Sequence, residues 1–436
     1  MPTDREILWL AIPALGALIA EPLYVLGDTA IIGHLGTVPL AGLALAGLLL
    51  SEIFGFCTFL EYGTTARAAR LYGAGRIDEA LDVGVQATWL ALGLGAVLVL
   101  GVELVAVPAM HAMAGGDTAA SVQAVRWMRI AAFGAPFVLV TAAAQGWMRA
   151  LQDTRTPLVV IGLANVASIA LSAGLVFGAG LGIRGSAVAN VAAQAASGLV
   201  FLVLLARRGA PLRPSLGRIR VQFAAARDLT LRTASFFVAF TVATSVAARI
   251  GDTTLAAHQI GAQLWTFCAL FLDSTAIAAQ ALVGRLLGAG QVDAALALGR
   301  RLLWAGAWLG IAFAVVLGAG YAFVPRAFTS DPGVIGKAHV LWPFLVLMMP
   351  FNGWVFALDG ILLGAGDLRF MRNVTAAAAV LGYVPITLAT AEFGWGLAGI
   401  WIGISAFIWI RTAIGFARWR GRRWLIGGAR IADEAI

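Results

Sequence analysis

The 436 residues are 61% hydrophobic and 12% charged, with a mean hydropathy of +0.90; a soluble domain is about 45–50% apolar and 25% charged, so a soluble globular protein is excluded and an integral membrane protein is expected. The net charge is +8, nearly all of it arginine, Lys337 being the sole lysine; lying between apolar runs, these charges speak for membrane orientation rather than nucleic-acid binding. Cys57 and Cys268 sit inside apolar runs and make neither a disulfide framework nor a metal motif.

The first apolar run follows MPTDREILWLAI, whose early acids do not suit a basic leader, and it is longer than the apolar part of a signal peptide. It is expected to be a retained helix. Within it lies EPLYVLGDTAIIGHLG, Glu21 to Gly36, with two carboxylates, Glu21 and Asp28. A carboxylate at the centre of a membrane helix costs about 2.5–3.5 kcal/mol on insertion scales, so it is retained where it is paired, hydrated or used. Seven residues at ~100° each bring the two acids within roughly 20° of one helix face. Pro22, lacking a backbone donor, loosens the helix between them. Two acids, one face and a weak point in the backbone predict a protonatable hinge.

A span needs about 20 mostly apolar residues, and twelve are expected, near 7–32, 40–65, 83–108, 122–147, 157–178, 183–206, 229–250, 255–283, 302–325, 340–363, 373–392 and 396–417. The basic residues sort by side. Arg5, Arg67, Arg70, Arg76, Arg149, Arg155, the run from Arg207 to Arg232, Arg285, Arg300, Arg301, Arg369, Arg372 and the tail from Arg411 to Arg430 fall on one; Arg126, Arg129, Arg184, Arg249, Arg326 and Lys337 fall on the other. The excess predicts that both termini are cytoplasmic. The longest basic connection, 207–228, divides the chain into an N-terminal lobe, 1–206, and a C-terminal lobe, 229–436. Its arginines are expected to pin the cytoplasmic side and touch anionic lipid.

The two halves repeat. LYGAGRIDEALDVG (71–84) aligns with LLGAGQVDAALALG (286–299) at an offset of 215, from residue 73 to 288, and the register holds back to Leu40 over Leu255. QGWMRALQDTR (145–155) aligns with DGILLGAGDLR (359–369) at an offset of 214. Matching loops share a side, so the repeats are parallel, related by an axis along the membrane normal, as in several transporter folds. The GAG triplets at 73–75, 288–290 and 364–366 lack a following Walker pattern and fall where helices end.

EPLYVLGDTAIIGHLG, FLEYGTTARAARLYGAG, LDSTAIAAQALVGRLLGAG and FALDGILLGAGDLRF resemble the multidrug and toxic compound extrusion (MATE) family, most of all its DinF-like branch. The resemblance runs from the first span to the twelfth. It implies an all-α integral membrane fold of twelve transmembrane helices, in two pseudo-symmetric six-helix bundles around a central cavity. It also implies cation-driven antiport of organic, often cationic and amphiphilic, compounds, with the first-span aspartate, Asp28, as a coupling residue. One departure concerns the fifth span, where relatives carry a pattern like N-x-x-N-x-x-x-D. Here Asn165, Ser168 and Ser172 keep the face but remove the second acid.

Asp28, with Glu21, is therefore the expected proton-coupling site; the competing reading of Asp28 is a structural acid bonded between helices. The expected shell is Asn165, Ser168, Asn190 and Gln194, with Tyr24, Gln145 and Ser172 on the same N-lobe cavity. Asp273, Asp359 and Asn352 are the C-lobe candidates for an ion or substrate. Glu52 and Glu61, nine residues apart, are expected to face opposite ways, and Glu103 is a further acid in an apolar run. The four histidines form no ligand spacing. The expected protein is a monomeric antiporter of the inner (plasma) membrane, without cofactor or bound metal, exchanging organic substrates for protons. The alternatives are sodium coupling through Asp359 and Asp273, or a lipid or lipid-linked flippase. The latter would want a larger basic lining. No catalytic signature of a membrane enzyme is present.

Overall fold

The computed structural model describes residues 2–429. Arg430 of the basic tail and the end of the expected C-terminal lobe, 430–436, lie outside the described residues. Among them there is no strand. The helices are α1 (Asp4–Gly33), α2 (Thr37–Phe56), α3 (Phe59–Gly73), α4 (Ile77–Ala114), α5 (Ala119–Ala132), α6 (Ala135–Ala150), α7 (Arg155–Ala173), α8 (Ile183–Arg207), α9 (Leu216–Ile250), α10 (Asp252–Gly288), α11 (Val292–Ala319), a short α12 (Val324–Phe328), α13 (Pro332–Gly364), α14 (Leu368–Ala378), α15 (Val384–Phe393) and α16 (Gly396–Arg420). One turn of π-helix, Gly174–Gly178, ends α7, and another, Ala379–Tyr383, joins α14 to α15.

Among the described residues eleven helical stretches are long and apolar enough to cross a membrane. The twelfth span is α5 with α6, a pair bent by 54°. The bend has a local cause: Gly134-Ala135-Pro136 interrupts the run, and Pro136 brings a ring where the helix needs a donor. The α2–α3 span is also broken, at Cys57 and Thr58. The expected linker is shorter than the basic stretch implied: α8 runs to Arg207, and helix resumes at Leu216.

The chain divides into two compact units. One holds residues 12–226; the other holds 227–429 together with 2–11. Residues 2–11 join the C-terminal unit because Arg301 pairs with Asp4 and donates to the Pro2 carbonyl at 2.7 Å, while Arg285 lies 3.7 Å from Glu6. The N-terminal unit buries Ile32, Met110, Trp127 and Val176 in one cluster, Trp147 and Phe201 in another. The C-terminal unit buries an aromatic-rich core around Trp342, Tyr383, Trp401 and Phe407.

The repeat reaches into the packing. A Cβ on Gly95 would stand 2.3 Å from Pro136 Cα; 215 residues on, a Cβ on Gly310 would stand 2.8 Å from Pro350 Cα. Gly146 lies against the Glu61 carbonyl as Gly360 lies against that of Ala276, each leaving 2.7 and 2.3 Å for an added Cβ. Small residues let backbones approach where lipid gives helices no hydrophobic reason to associate. The helix ends repeat too. Gly75, Gly290 and Gly366 take φ of 78°, 72° and 76°, and the next amide closes a bond to the carbonyl five residues back: Arg76 to Leu71, Gln291 to Leu286, Asp367 to Leu362. The fourth copy, after α6, closes the same bond from Asp153 to Met148, but its left-handed residue is Gln152, at φ 66°.

Candidate functional site

The N-terminal unit encloses a cavity of about 490 Å³. Its wall is mostly apolar, with Glu21, Tyr24, Asp28, Glu61, Gln145, Asn165, Asn190 and Gln194 supplying polar groups, and among the described residues no arginine, lysine or histidine lines it. A chiefly apolar pocket with a few converging polar groups is the usual form of a small-molecule site. The 700° between Glu21 and Asp28 does bring both acids of α1 to this one wall.

Asp28 is only 3% exposed. Ser172 of α7 donates to its Oδ1 at 2.9 Å, and Ser186 of α8 donates to its Oδ2 at 2.7 Å. Trp127 of α5 donates its indole N–H to the Ser186 oxygen at 3.1 Å, so the single hydroxyl hydrogen of Ser186 is directed at the acid. Four helices meet at one carboxylate. α7 delivers Ser172 immediately before its π turn, a feature concentrated at functional sites. The position where the family resemblance implies a second acid thus holds a hydroxyl donor.

Around this centre Asn190 donates to the Tyr24 hydroxyl at 2.6 Å. The Asn165 amide nitrogen is buried on the cavity wall with no protein acceptor among the described residues, and Ser168 is buried on the same helix. Gln145 accepts from Arg149 at 2.9 Å. Arg149 also pairs with Glu61. Glu61 therefore both lines the cavity and meets an arginine. Glu52 is exposed on α2 and is not among the residues that line the cavity. Glu103 meets Arg129 at 3.3 Å.

The C-terminal candidates stand differently. Asp359 of α13 is 8% exposed, and its Oδ2 accepts from Arg232 of α9 and Arg411 of α16, each at 2.6 Å. The Arg411 guanidinium also lies over Phe236 and Phe407, at 4.9 and 5.3 Å from the ring centroids. Asp359 is thus an acid paired with two arginines, not a bare ligand. Asn352 is 1% exposed and Asp273 is half-buried on α10. Arg411, counted in the cytoplasmic tail by sequence, lies buried inside α16; Arg149, counted with a loop, is 2% exposed inside α6. Among the described residues no group of three His, Cys, Asp or Glu is placed to hold a metal ion.

The repeat is chemically asymmetric at this point. Asp28 has Ala243 at the 215 offset. Gly182 and Gly396, both at positive φ, fix an offset of 214 for the sixth and twelfth spans, which sets Ile400 against Ser186. Both counterparts are wholly buried in the C-terminal core. One copy presents an acid and a hydroxyl where the other presents carbon.

Sequence reasoning missed Ser186, Trp127, Arg232 and Arg411. The signal for Ser186 was available: Ser186, Asn190 and Gln194 recur every four residues along one face of the sixth span. Nothing in the sequence joins Trp127 to them.

Compared with known proteins, the chain matches the protein-family model described as MatE twice, over residues 13–173 and 229–388. It is 30% identical over 437 residues to DNA damage-inducible protein F of Escherichia coli, covering 98% of this chain and 94% of that protein. It is 30% identical over 451 residues to Protein DETOXIFICATION 45, chloroplastic, of Arabidopsis thaliana, covering 97% and 80%. Among solved structures it superimposes on one described as MATE in the bent conformation with a TM-score of 0.87, at 21% identity, over 99% of this chain and 97% of that one.

Proposed function

The chain belongs to the MatE family, whose members are membrane transporters of multidrug and toxic compounds and not enzymes, and on that premise we propose that it exports organic, often cationic and amphiphilic, compounds in exchange for protons, with Asp28 as the coupling carboxylate. The observation that carries this reading is a buried acid on a cavity wall held by two hydroxyl donors from neighbouring helices. As drawn, both oxygens of Asp28 act as acceptors, the pattern of the charged form. A proton arriving from outside removes that charge and turns one oxygen into a donor, so that Ser172 or Ser186 turns its own hydroxyl hydrogen elsewhere and accepts, or gives up the bond. Because those serines belong to α7 and α8, the change is felt on both helices as well as on α1. In the proposed cycle α1 then bends near Pro22 and the site releases substrate; after inward exposure the proton leaves to the cytoplasm. The ligand shifts the equilibrium only through its different affinity for the two states.

Sodium coupling through the C-terminal unit finds little support. Sodium wants several uncommitted oxygens, and the Asp359 oxygen nearest the arginines already receives two guanidinium bonds. A lipid-phosphate flippase would use cationic groups in its cavity, and this cavity is lined by none. We read the chain as a monomer of the inner (plasma) membrane with both termini cytoplasmic, on the strength of the basic residues gathered on one side.

The test is transport of a fluorescent cation in proteoliposomes under an inward proton gradient or an inward sodium gradient, by the parent and by Asp28→Asn. Proton-driven exchange abolished in Asp28→Asn is the expected result. Exchange that follows sodium and survives the substitution refutes the reading.

A further inference from the structure

Three carboxylates line the N-terminal cavity, and the structure treats each differently. Asp28 is withdrawn, 3% exposed, with its oxygens occupied by Ser172 and Ser186. Glu61 is neutralised by Arg149, which Gln145 holds in turn. Glu21 has no hydrogen-bond or ion-pair partner among the described residues, and it is exposed on the cavity wall. No cationic side chain lines the same space. Glu21 is therefore the cavity carboxylate that the described residues leave open to a ligand, with neither a donor nor a cation on it.

The two acids of α1 are also well apart. Seven residues at ~1.5 Å rise place them about 10 Å from each other along the helix. The wall between and around them is Tyr24, Val25, Leu48 and Phe54, with Trp127 beside Asp28 through Ser186. A negative charge at one level of an apolar, partly aromatic chamber, and a withdrawn acid two turns away, are different instruments.

We infer that Glu21 is the specificity-determining residue that reads the positive charge of the transported compound, and that Asp28 is reserved for the proton. This rests on the antiport reading above but separates its two tasks. The ligand it selects is an organic monocation with a bulky apolar body that fits about 490 Å³. A neutral or anionic compound of the same shape fills the same wall but leaves Glu21 without a partner, and an unpaired charge in a confined apolar site is penalised. Proton and substrate then occupy different oxygens. They affect one another through the field between two acids on one helix and through the geometry of α1, rather than by direct displacement.

Tetraphenylphosphonium and tetraphenylborate share a shape and differ in sign, so they isolate charge recognition. Binding of each is measured to the full chain in lipid nanodiscs, with empty nanodiscs as baseline, for the parent, Glu21→Gln, Glu21→Asp and Asp28→Asn. The expected result is selective binding of the phosphonium by the parent, weakened on the order of ten-fold in Glu21→Gln. Glu21→Asp, which keeps the charge, retains it and so controls for folding. Asp28→Asn binds the phosphonium as the parent does while failing in proton exchange. The inference is overturned if Glu21→Gln binds the phosphonium like the parent, if Asp28→Asn is the variant that loses it, or if the parent does not prefer phosphonium to borate. None of these outcomes touches the antiport reading, whose failure shows separately as proton-driven exchange by Asp28→Asn.

Discussion

Asp359→Asn removes one charge from a buried group of three and leaves its shape. In the parent, one carboxylate oxygen accepts from Arg232 and Arg411 at 2.6 Å each. The Arg411 side chain is 4% exposed and that of Arg232 16%, so neither guanidinium reaches bulk water freely. The substitution leaves two like charges facing a neutral amide. Breaking a buried pair by removing one partner costs about 3–5 kcal/mol, whereas replacing the whole group with apolar residues of similar volume is often neutral or stabilising. For a unit of roughly 200 residues each kcal/mol moves the melting temperature by about 2–4 °C, so a fall of roughly 6–20 °C is expected. The assay is loss of the monodisperse peak on heating in detergent, followed by fluorescence size exclusion. The triple change Asp359→Leu, Arg232→Met, Arg411→Met is run beside it and should recover most of the loss. Asp359→Asn melting within about one degree of the parent would refute the reasoning, because it would mean that the three charges do not depend on one another. Proton-driven exchange measured below the new melting point should persist, since the triad lies outside the proposed coupling site.

Two further outcomes follow from local geometry. Gln152→Gly should raise the melting temperature by roughly 1–3 °C: the residue holds φ 66° at a helix end where the three sister positions are glycine, and relieving a left-handed side chain is worth about 1 kcal/mol less the entropy glycine adds to the unfolded chain. No change or a loss would mean the Gln152 side chain earns its place. Gln86 ties the connection after α8 to α4, donating to the Arg213 carbonyl at 3.1 Å and accepting from the Ser215 amide at 2.8 Å. Gln86→Ala should therefore loosen this connection and speed limited trypsin cleavage at the exposed Arg208, read as a split into two fragments on a gel; unchanged resistance would show that the Arg218–Asp82 pair and the Trp89 bond to Leu212 suffice.

The twelve spans were legible because lipid imposes a simple rule: twenty apolar residues with every backbone group satisfied inside the segment. The repeat was legible because helix-ending GAG motifs sit in loops, where register is preserved. What the sequence concealed were departures from regular helix. The 54° bend at Pro136 and the unbroken helix through Pro350 have the same proline at matching positions, so the residue alone does not decide between them. At the site, the acids of α1 announced themselves by their cost in a membrane. Ser172 was legible as a departure, yet its bond to Asp28 depends on how α7 and α1 meet. Arg411 was misread as tail because a charge near the end of a span looks like a charge beyond it; only Asp359, 52 residues earlier in the chain, makes it tolerable inside.

Ala243 and Ile400 stand in the second copy where Asp28 and Ser186 stand in the first. A doubled gene begins with two equal sets of residues under one selection. Once one set carries the chemistry, the other is released from it and is judged only on how well it fills space. The N-terminal half keeps costly polar groups on a hollow, while the C-terminal half has a dense aromatic interior in which Asp359, Arg232 and Arg411 pair their charges together.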